Sequence, residues 1–589
     1  MENTPARNSL HCKVDNKVQI EKALHLYQLL ITDLTELTGI NLQLDAATLQ
    51  RRTAHEGLPF LTRTLPKFGD DIFKSLNLGT FQPSFRFCRT KGALPKLFLG
   101  LTSRVFDAQS GKLLAEPCYV AAFCLRCLCY LLYKMEVPYT PEQERDTLER
   151  VMECDLLLDG QVQISPTDKV LELASSLISD VVGSFAWEDI IPRHGPGATS
   201  EVTPDPWLKY GFSMHGEDDL PDELFYPVSL LEEGYPVAHC INSVDEVLLS
   251  GDASAMPNMR QSRVCLVPKN SKGPRVISSE PIRAMWVQLG IDALIRQRIS
   301  RSKLCRGIQL KDQSVNAGLA LLGSRTGKWA TLDLSEASDR VSMKLIGNLW
   351  PTDWVRAIER TRSVATLFPN GEVRVLNKCA PMGNGFCFSV ETLTFWALSA
   401  ATIISGMEEA YVSEDDYINC ARDVYAYGDD IIVRSKHAES VMQSLERYGF
   451  RINREKSFWT GPFRESCGVD AFNGVDITPL KIKVAPFTEK GSIKRADPTF
   501  VASWFEQGKT WSQLLPNVGN WMVNQVYDYL GFVPTYPEGW LGCIGEPRSY
   551  DKIKGSHVPA GGDRRGLFKE VRVGADGLVL YLGRPPSEG

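Results

Sequence analysis

An α+β fold with several subdomains is what this 589-residue sequence predicts, on three observations. Apolar residues at helical spacing run through the N-terminal region, short runs rich in β-branched and aromatic residues appear near residues 329–333 and 423–433, and a long apolar helix lies between those runs. A chain of this length exceeds one simple core, and its 43% hydrophobic content is ordinary for a folded interior.

In "VQIEKALHLYQLLITDLTELTG" the residues Ile20, Ala23, Leu24, Tyr27, Leu30, Ile31 and Leu34 recur at helix spacing, and Gly39 supplies a stop. Helices are expected to dominate the first 190 residues. No basic start followed by an apolar run and a cleavage site opens the chain, so secretion is not expected. The window Cys118 to Tyr133 reads as the most apolar stretch, but it carries Arg126 and is shorter than a membrane-spanning helix, so a buried helix is expected. Its Cys124, Cys127 and Cys129 lack the second cysteine pair or histidine that zinc requires, and read as small core hydrophobes. The 15 cysteines follow no framework spacing and fit reduced thiols. "IIPRHGPGATSE", Ile190 to Glu201, is a Pro- and Gly-punctuated loop, and the tail beyond about 535 is Gly- and Pro-rich.

The net charge of −6 excludes a uniformly basic coat, yet the sign changes along the chain. Ten acidic residues and no Lys or Arg lie between Tyr210 and Met259, followed by twelve basic and three acidic residues from Arg260 to Asp312. The basic half is a candidate phosphate track, or the two halves are oppositely charged surfaces that face water or each other, which is the reading taken for the acidic half.

Chemistry concentrates in four stretches. "VYAYGDDIIV" reads as two strands joined at Gly428 and Asp429, which puts Asp429 and Asp430 at a hairpin tip. Adjacent carboxylates repel each other, and a divalent cation such as Mg2+ removes the conflict, although Gly and Asp are also ordinary turn residues. "WATLDLSEASDRVS" runs from an apolar strand into Asp333, then into a helix that Ser335 or Ser338 is placed to cap. Should that strand pair with the hairpin, three carboxylates share a pair of ions, the arrangement of phosphoryl-transfer enzymes. In "APMGNGFCFSVETLTFWALSAATIISG", Gly383, Asn384 and Gly385 form a turn before a long apolar helix, with amides free to approach a nucleic-acid backbone, or a packing device alone. In "VPKNSKGPRVISSEP" a short loop presents Lys269, Lys272 and Arg275 at a spacing that suits a triphosphate or, equally, solvent.

In order along the chain, "VPKNSKGPRVISSEP", "GIQLKDQSVN", "LDLSEASD", "MGNGFCFSVE", "YGDDIIV" and "GPFRESCG" resemble the RNA-directed RNA polymerase (replicase) catalytic subunits of single-stranded RNA bacteriophages, the Qβ and MS2 type. The resemblance covers about residues 190–480, with "HGPGAT" as a weaker outlying match. It implies a right-hand polymerase whose palm is an antiparallel sheet backed by helices. The implied division is a mainly helical region over 1–190 bridging fingers and thumb, fingers over 191–328, palm over 329–480, and thumb with a C-terminal extension over 481–589.

Under that resemblance Asp333, Asp429 and Asp430 hold two Mg2+ ions, for which Mn2+ substitutes, and Asp339 recognises the ribose 2′-hydroxyl. Lys269, Lys272 and Arg275 contact the incoming triphosphate, and Gly383, Asn384 and Glu391 belong to the template and nucleotide loop and helix. Cys387 stands where threonine is expected. Lys456 is a candidate proton donor to pyrophosphate or a plain surface lysine, and in the primer-grip position Arg464 and Glu465 are expected to pair only with each other. The implied activity is replication of a phage RNA genome with primer-independent initiation, on RNA template and product with nucleoside triphosphates. The implied partners are host elongation factors Tu and Ts and a small-subunit ribosomal protein, in the cytoplasm of an infected bacterium and away from membrane. A reverse transcriptase and a noncatalytic RNA-binding protein are the rivals. Glycine before the aspartate pair and an acid at 339 favour an RNA product over the former.

Overall fold

The computed structural model describes residues 16–82, 87–135, 138–165, 167–200, 261–407, 414–483, 498–530, 568–574 and 577–582. The acidic stretch from Tyr210 to Met259 and most of the tail beyond 535 lie outside the described residues. The chain forms two compact units: Met1–Ser75, Thr80–Pro138 and Pro479–Gly589 make the first, and Leu76–Gly79 with Tyr139–Thr478 the second.

The first unit is mainly helical. Its opening helix, Asn16–Thr38, buries Ala23, Leu26, Tyr27, Leu30, Ile31 and Leu34 at the spacing read from the sequence. Gly39, at φ 68°, ends it by donating to the Thr35 carbonyl. Buried Asp33 accepts from Asn517 and Val518 backbone N–H groups and from the Asn517 side chain, capping the helix Pro516–Leu530. The helix Tyr119–Tyr130 is buried as expected; burial pushes the Cys127 thiol up to about 12, which suits packing, not ligation. The Arg126 guanidinium lies over the Phe73 ring, 3.0 Å from its centroid. Phe568–Gly574 and Gly577–Leu582 form an antiparallel hairpin.

The second unit carries the quoted motifs. It begins with α1 (Pro141–Gln161), closed at its N-terminus by a reciprocal Thr140 and Gln143 capping box, and α2 (Lys169–Val182), capped by Asp168. The basic segment is not a short loop: β1 (Gln261–Asn270) and β2 (Gly273–Ser279) form a long antiparallel hairpin, in which Leu266 pairs with Val276 and Cys265 with Ile277. Next come α3 (Ile282–Arg301), α4 (Ser314–Thr326), β3 (Trp329–Leu332), β4 (Leu334–Ser335) and α5 (Met343–Leu349). Neither Ser335 nor Ser338 caps a helix: Ser335 continues into β4, and Ser342 accepts from Leu345 N–H at 3.0 Å to start α5. The chain keeps extended pairing past Asp333 because β4 meets β9 (Arg451–Ile452).

β5 (Ala365–Leu367) runs parallel to β1 and antiparallel to β6 (Val373–Val375), giving a sheet of order β2-β1-β5-β6. A second, antiparallel sheet has the order β3-β8-β7, from β7 (Tyr425–Tyr427) and β8 (Asp430–Arg434). Behind it lie α6 (Cys387–Ser405), against β7 and β8, and α7 (Ala438–Arg447), against β3. Of the described helices α6, and not the 118–133 segment, is long and apolar enough to cross a membrane, but 83% of that window is buried inside the fold. Its sixteen buried residues put the core of this unit directly under the acidic hairpin. A third sheet begins with the hairpin β10 (Phe463–Ser466) and β11 (Val469–Phe472).

Candidate active site

Strand register carries Asp333 and the hairpin aspartates to the same end of the β3-β8-β7 sheet. Leu332 pairs with Ile431 as the last pair of the β3–β8 ladder, so Asp333 and Asp430 are the next residues of the two chains at that end of the sheet. β7 and β8 turn through Gly428 and Asp429, with Tyr427 opposite Asp430. Gly428 sits at φ 61°, donates its N–H to Thr392 Oγ1 of α6 at 3.0 Å, and has a phenyl carbon of Phe388 2.8 Å from where a Cβ would be. A side chain there would lift the tip off its helix.

The Asp333 N–H donates to Ser457 Oγ at 3.1 Å, its carbonyl accepts from Asn453 N–H at 2.9 Å, and its Oδ2 accepts from Asn453 Nδ2 at 2.6 Å. Asp430 Oδ1 accepts from Ser466 Oγ at 3.1 Å, and the Asp430 carbonyl accepts from Asn316 Nδ2 of α4 at 3.2 Å. Burial, then repulsion from Asp429 and Glu465 against relief from Lys456, lifts the Asp333 carboxyl to about 7. Burial followed by Asp429 lifts Asp430 to about 6, and burial raises Asp429 as well.

These are hard oxygen donors made costly to ionise by burial and by one another, an environment that a divalent cation relieves. Their donor chemistry fits Mg2+. Among the described residues, however, no three acidic, histidine or cysteine side chains stand close enough together to hold one ion. Asn453 and Ser466 each occupy a carboxylate oxygen of the set.

Cations face the acids. Burial, with repulsion from Arg275 and Lys456, lowers Lys269, while Asp429 and Asp333 pull it the other way. The same three cations act on Asp429. Lys456 Nζ lies 3.6 Å from Glu465 Oε1. The expected Arg464–Glu465 pair does not form. Arg464 is fully buried and donates to the carbonyls of Trp329, Thr460, Gly461 and Phe463, and burial pulls it down to about 10. Lys272 stands in the β1–β2 turn, where its carbonyl accepts from Gln143 Nε2.

The glycine turn offers fewer free amides than expected. Gly385 N–H donates to Gln288 Oε1 and Phe386 N–H to Asn384 Oδ1, because the turn packs on α3. Asn384 spends its Nδ2 on buried Glu280, and a Cβ at Gly383 would lie 2.3 Å from the Ser278 carbonyl, so the close approach is to β2. The Cys387 thiol is buried and donates to the Ala380 carbonyl. Glu391 lies beneath the hairpin tip; burial, with Asp429 and Asp339 close by, pushes its carboxyl well above the usual range. Asp339 sits in a short 3-10 turn and accepts from Lys378 Nζ at 2.7 Å. Asn453, Ser457, Ser466, Asn316, Thr392, Glu280 and Lys378 are all residues that sequence reasoning missed. Asn453 and Ser457 flank Lys456 and Ser466 follows Glu465, so nearness in sequence was their only signal.

Residues 239–490 match a family model described as RNA replicase, beta-chain. Over 223 residues the chain is 40% identical to the RNA-directed RNA polymerase subunit beta of Enterobacteria phage SP, covering 38% of this chain and 36% of that protein. The RNA-directed RNA polymerase beta chain of Escherichia phage MS2 is 40% identical over 220 residues, 37% of each chain. The match thus spans little more than a third of these relatives' length. Among solved structures, the RNA-dependent RNA polymerase of a human picorbirnavirus aligns with 65% of this chain and 74% of its own, at a TM-score of 0.36 and 13% identity.

Proposed function

We propose that this protein is the catalytic chain of an RNA-directed RNA polymerase that copies a single-stranded RNA phage genome. The observation that carries the reading is the β3–β8 register, whose last pair, Leu332 with Ile431, leads directly into Asp333 on one strand and from Asp430 and Asp429 on the other, inside a segment that matches a replicase family model. In the right-hand reading, the β3-β8-β7 sheet with α6 and α7 is the palm, the β1–β2 hairpin belongs to the fingers, and the thumb lies toward the C-terminus.

Asp333, Asp429 and Asp430 would hold two Mg2+ ions, which lower the pKa of an attacking 3′-hydroxyl and stabilise the departing oxygens of the triphosphate. Lys269 and Arg275 neutralise the triphosphate, with Lys272 further out on the same hairpin. Lys456, half exposed and beside the carboxylates, is placed to return a proton to pyrophosphate. Asp339 accepts from the ribose 2′-hydroxyl. Gly383 and Asn384 shape the start of α6, and Glu391 supports the hairpin tip from beneath. Sequence is read by template pairing. Initiation without a primer, and association with host elongation factors Tu and Ts and a small-subunit ribosomal protein in the bacterial cytoplasm, complete the proposal.

The test is RNA synthesis from a single-stranded RNA template without primer, with and without Mg2+ and with and without bacterial extract. Mg2+-dependent incorporation of ribonucleotides is expected. RNA binding without synthesis under all four conditions refutes the reading, and preferred incorporation of deoxyribonucleotides turns it to a reverse transcriptase.

A further inference from the structure

We infer that Lys378 is a positioning residue for ribonucleotide selection, its buried ammonium fixing the Asp339 carboxylate toward the sugar of the incoming nucleotide. This rests on the reading of Asp339 as the group that senses the 2′-hydroxyl.

Lys378 is 2% exposed and donates from Nζ to Asp339 Oδ1 at 2.7 Å, with Asp155 Oδ1 of α1 at 3.8 Å on its other side. Its backbone is held as firmly. Asp155 accepts from both the Asn377 and Lys378 N–H groups at 3.0 Å, and the Lys378 carbonyl accepts from buried Arg362 at 3.0 Å. Residues 377–379 are tied to the chain that follows Asp339: Met343 N–H donates to the Asn377 carbonyl at 2.9 Å, and Cys379 N–H to the Val341 carbonyl at 2.7 Å. The ammonium therefore has little room to move.

Asp339 itself stands on a three-residue turn, which does little to fix a carboxylate. Lys378 takes Oδ1, and Oδ2 has no hydrogen-bond partner among the described residues. Both side chains line one cavity of about 450 Å³, whose walls also include Ser278, Thr366 and Met382. One oxygen is anchored and the other remains to accept an O–H from a ligand. That is the division needed to detect a single hydroxyl, because a site built to bond a hydroxyl discriminates strongly against the analogue that lacks it.

The ammonium also separates two acids. Without it, Asp155 and Asp339 would face each other across a buried gap with no cation between them, and Asp339 would turn toward solvent. Through Asp155, helix α1 thereby acquires a part in substrate choice.

The experiment compares kcat/KM for ATP and dATP in the full-length wild-type chain, Lys378→Met, Asp339→Ala and the double variant, with RNA-template binding measured alongside. Lys378→Met is expected to lower the ATP/dATP ratio at least tenfold, mainly through KM for ATP, with template binding unchanged. The double variant is expected to be no less selective than Asp339→Ala alone. Lys378→Gln, which keeps an N–H donor without the charge, is read in the same way if Lys378→Met does not accumulate. A parallel loss with ATP and dATP, or an unchanged ratio, while Asp339→Ala does lose selectivity, overturns the role of Lys378. An unchanged ratio in Asp339→Ala overturns the ribose reading itself.

Discussion

Glu280 offers the most exacting test of how the glycine turn is held. Its side chain is 0% exposed, as are Gln288 and Ser363, and Asn384 is 7% exposed. Glu280 Oε2 accepts from Gln288 Nε2 at 3.2 Å and Ser363 Oγ at 2.5 Å, and Oε1 accepts from Asn384 Nδ2 at 3.1 Å. Glu280→Ala strands these donors, each at about 1–3 kcal/mol when buried. Gln288 keeps a second acceptor in the Thr361 carbonyl, at 2.8 Å, and the Ser363 hydroxyl can rotate, so Asn384 is the donor left stranded outright. The expected destabilisation is about 3–5 kcal/mol, including the cavity left behind. Glu280→Gln keeps the volume and one acceptor oxygen but withdraws a charge that favours the buried Arg362 cation, for about 1–2 kcal/mol. Urea unfolding, with hydrogen exchange at the Gly385 and Phe386 amides as the local readout, should rank wild type above Glu280→Gln above Glu280→Ala. Glu280→Ala within 1 kcal/mol of wild type, or no faster exchange at those two amides, refutes the reasoning.

Three further outcomes are expected. Asp333→Asn abolishes nucleotide incorporation yet, in EDTA at pH 8, raises stability by about 2 kcal/mol; a carboxyl raised to about 7 in the fold costs stability as pH climbs from near 4 through 7, so the gain vanishes at pH 4, and a thermal scan at both pH values checks it. Gly383→Ala, at φ 114° with its Cβ 2.3 Å from the Ser278 carbonyl, lowers the melting temperature and soluble yield, and a wild-type melting curve would contradict the packing described. Thr392→Val removes the acceptor of the Gly428 N–H in a buried setting, for about 1–2 kcal/mol and a several-fold slower incorporation, which single-nucleotide extension assays measure.

The sequence made the acidic tip legible because strand patterning, a Gly-Asp turn and an apolar run ending at Asp333 are all local signals. One pairing register, that of β3 with β8, carries them to the same end of the sheet. Where a role depends on long-range pairing, local signals misled. Ser335 resembled a cap until β9, more than a hundred residues on, drew it into β4. Arg464 and Glu465 resembled a pair because they are adjacent, yet neighbours on a strand point to opposite faces, and each found partners on its own side. The amides of the glycine turn appeared free because Gln288, which holds Gly385, lies about a hundred residues earlier. Asn453, Ser457 and Lys378 carry no pattern at all; a lone polar residue shows its purpose only once the fold surrounds it.

β3 is gripped along both edges, by β8 on one side and on the other by Phe458, whose N–H and carbonyl bond the two backbone groups of Thr331. Half of the cradle for the first aspartate is therefore made after the last one has been translated. A nascent or truncated chain stopping near residue 440 would possess all three acids and still lack one edge of the strand that leads into the first of them.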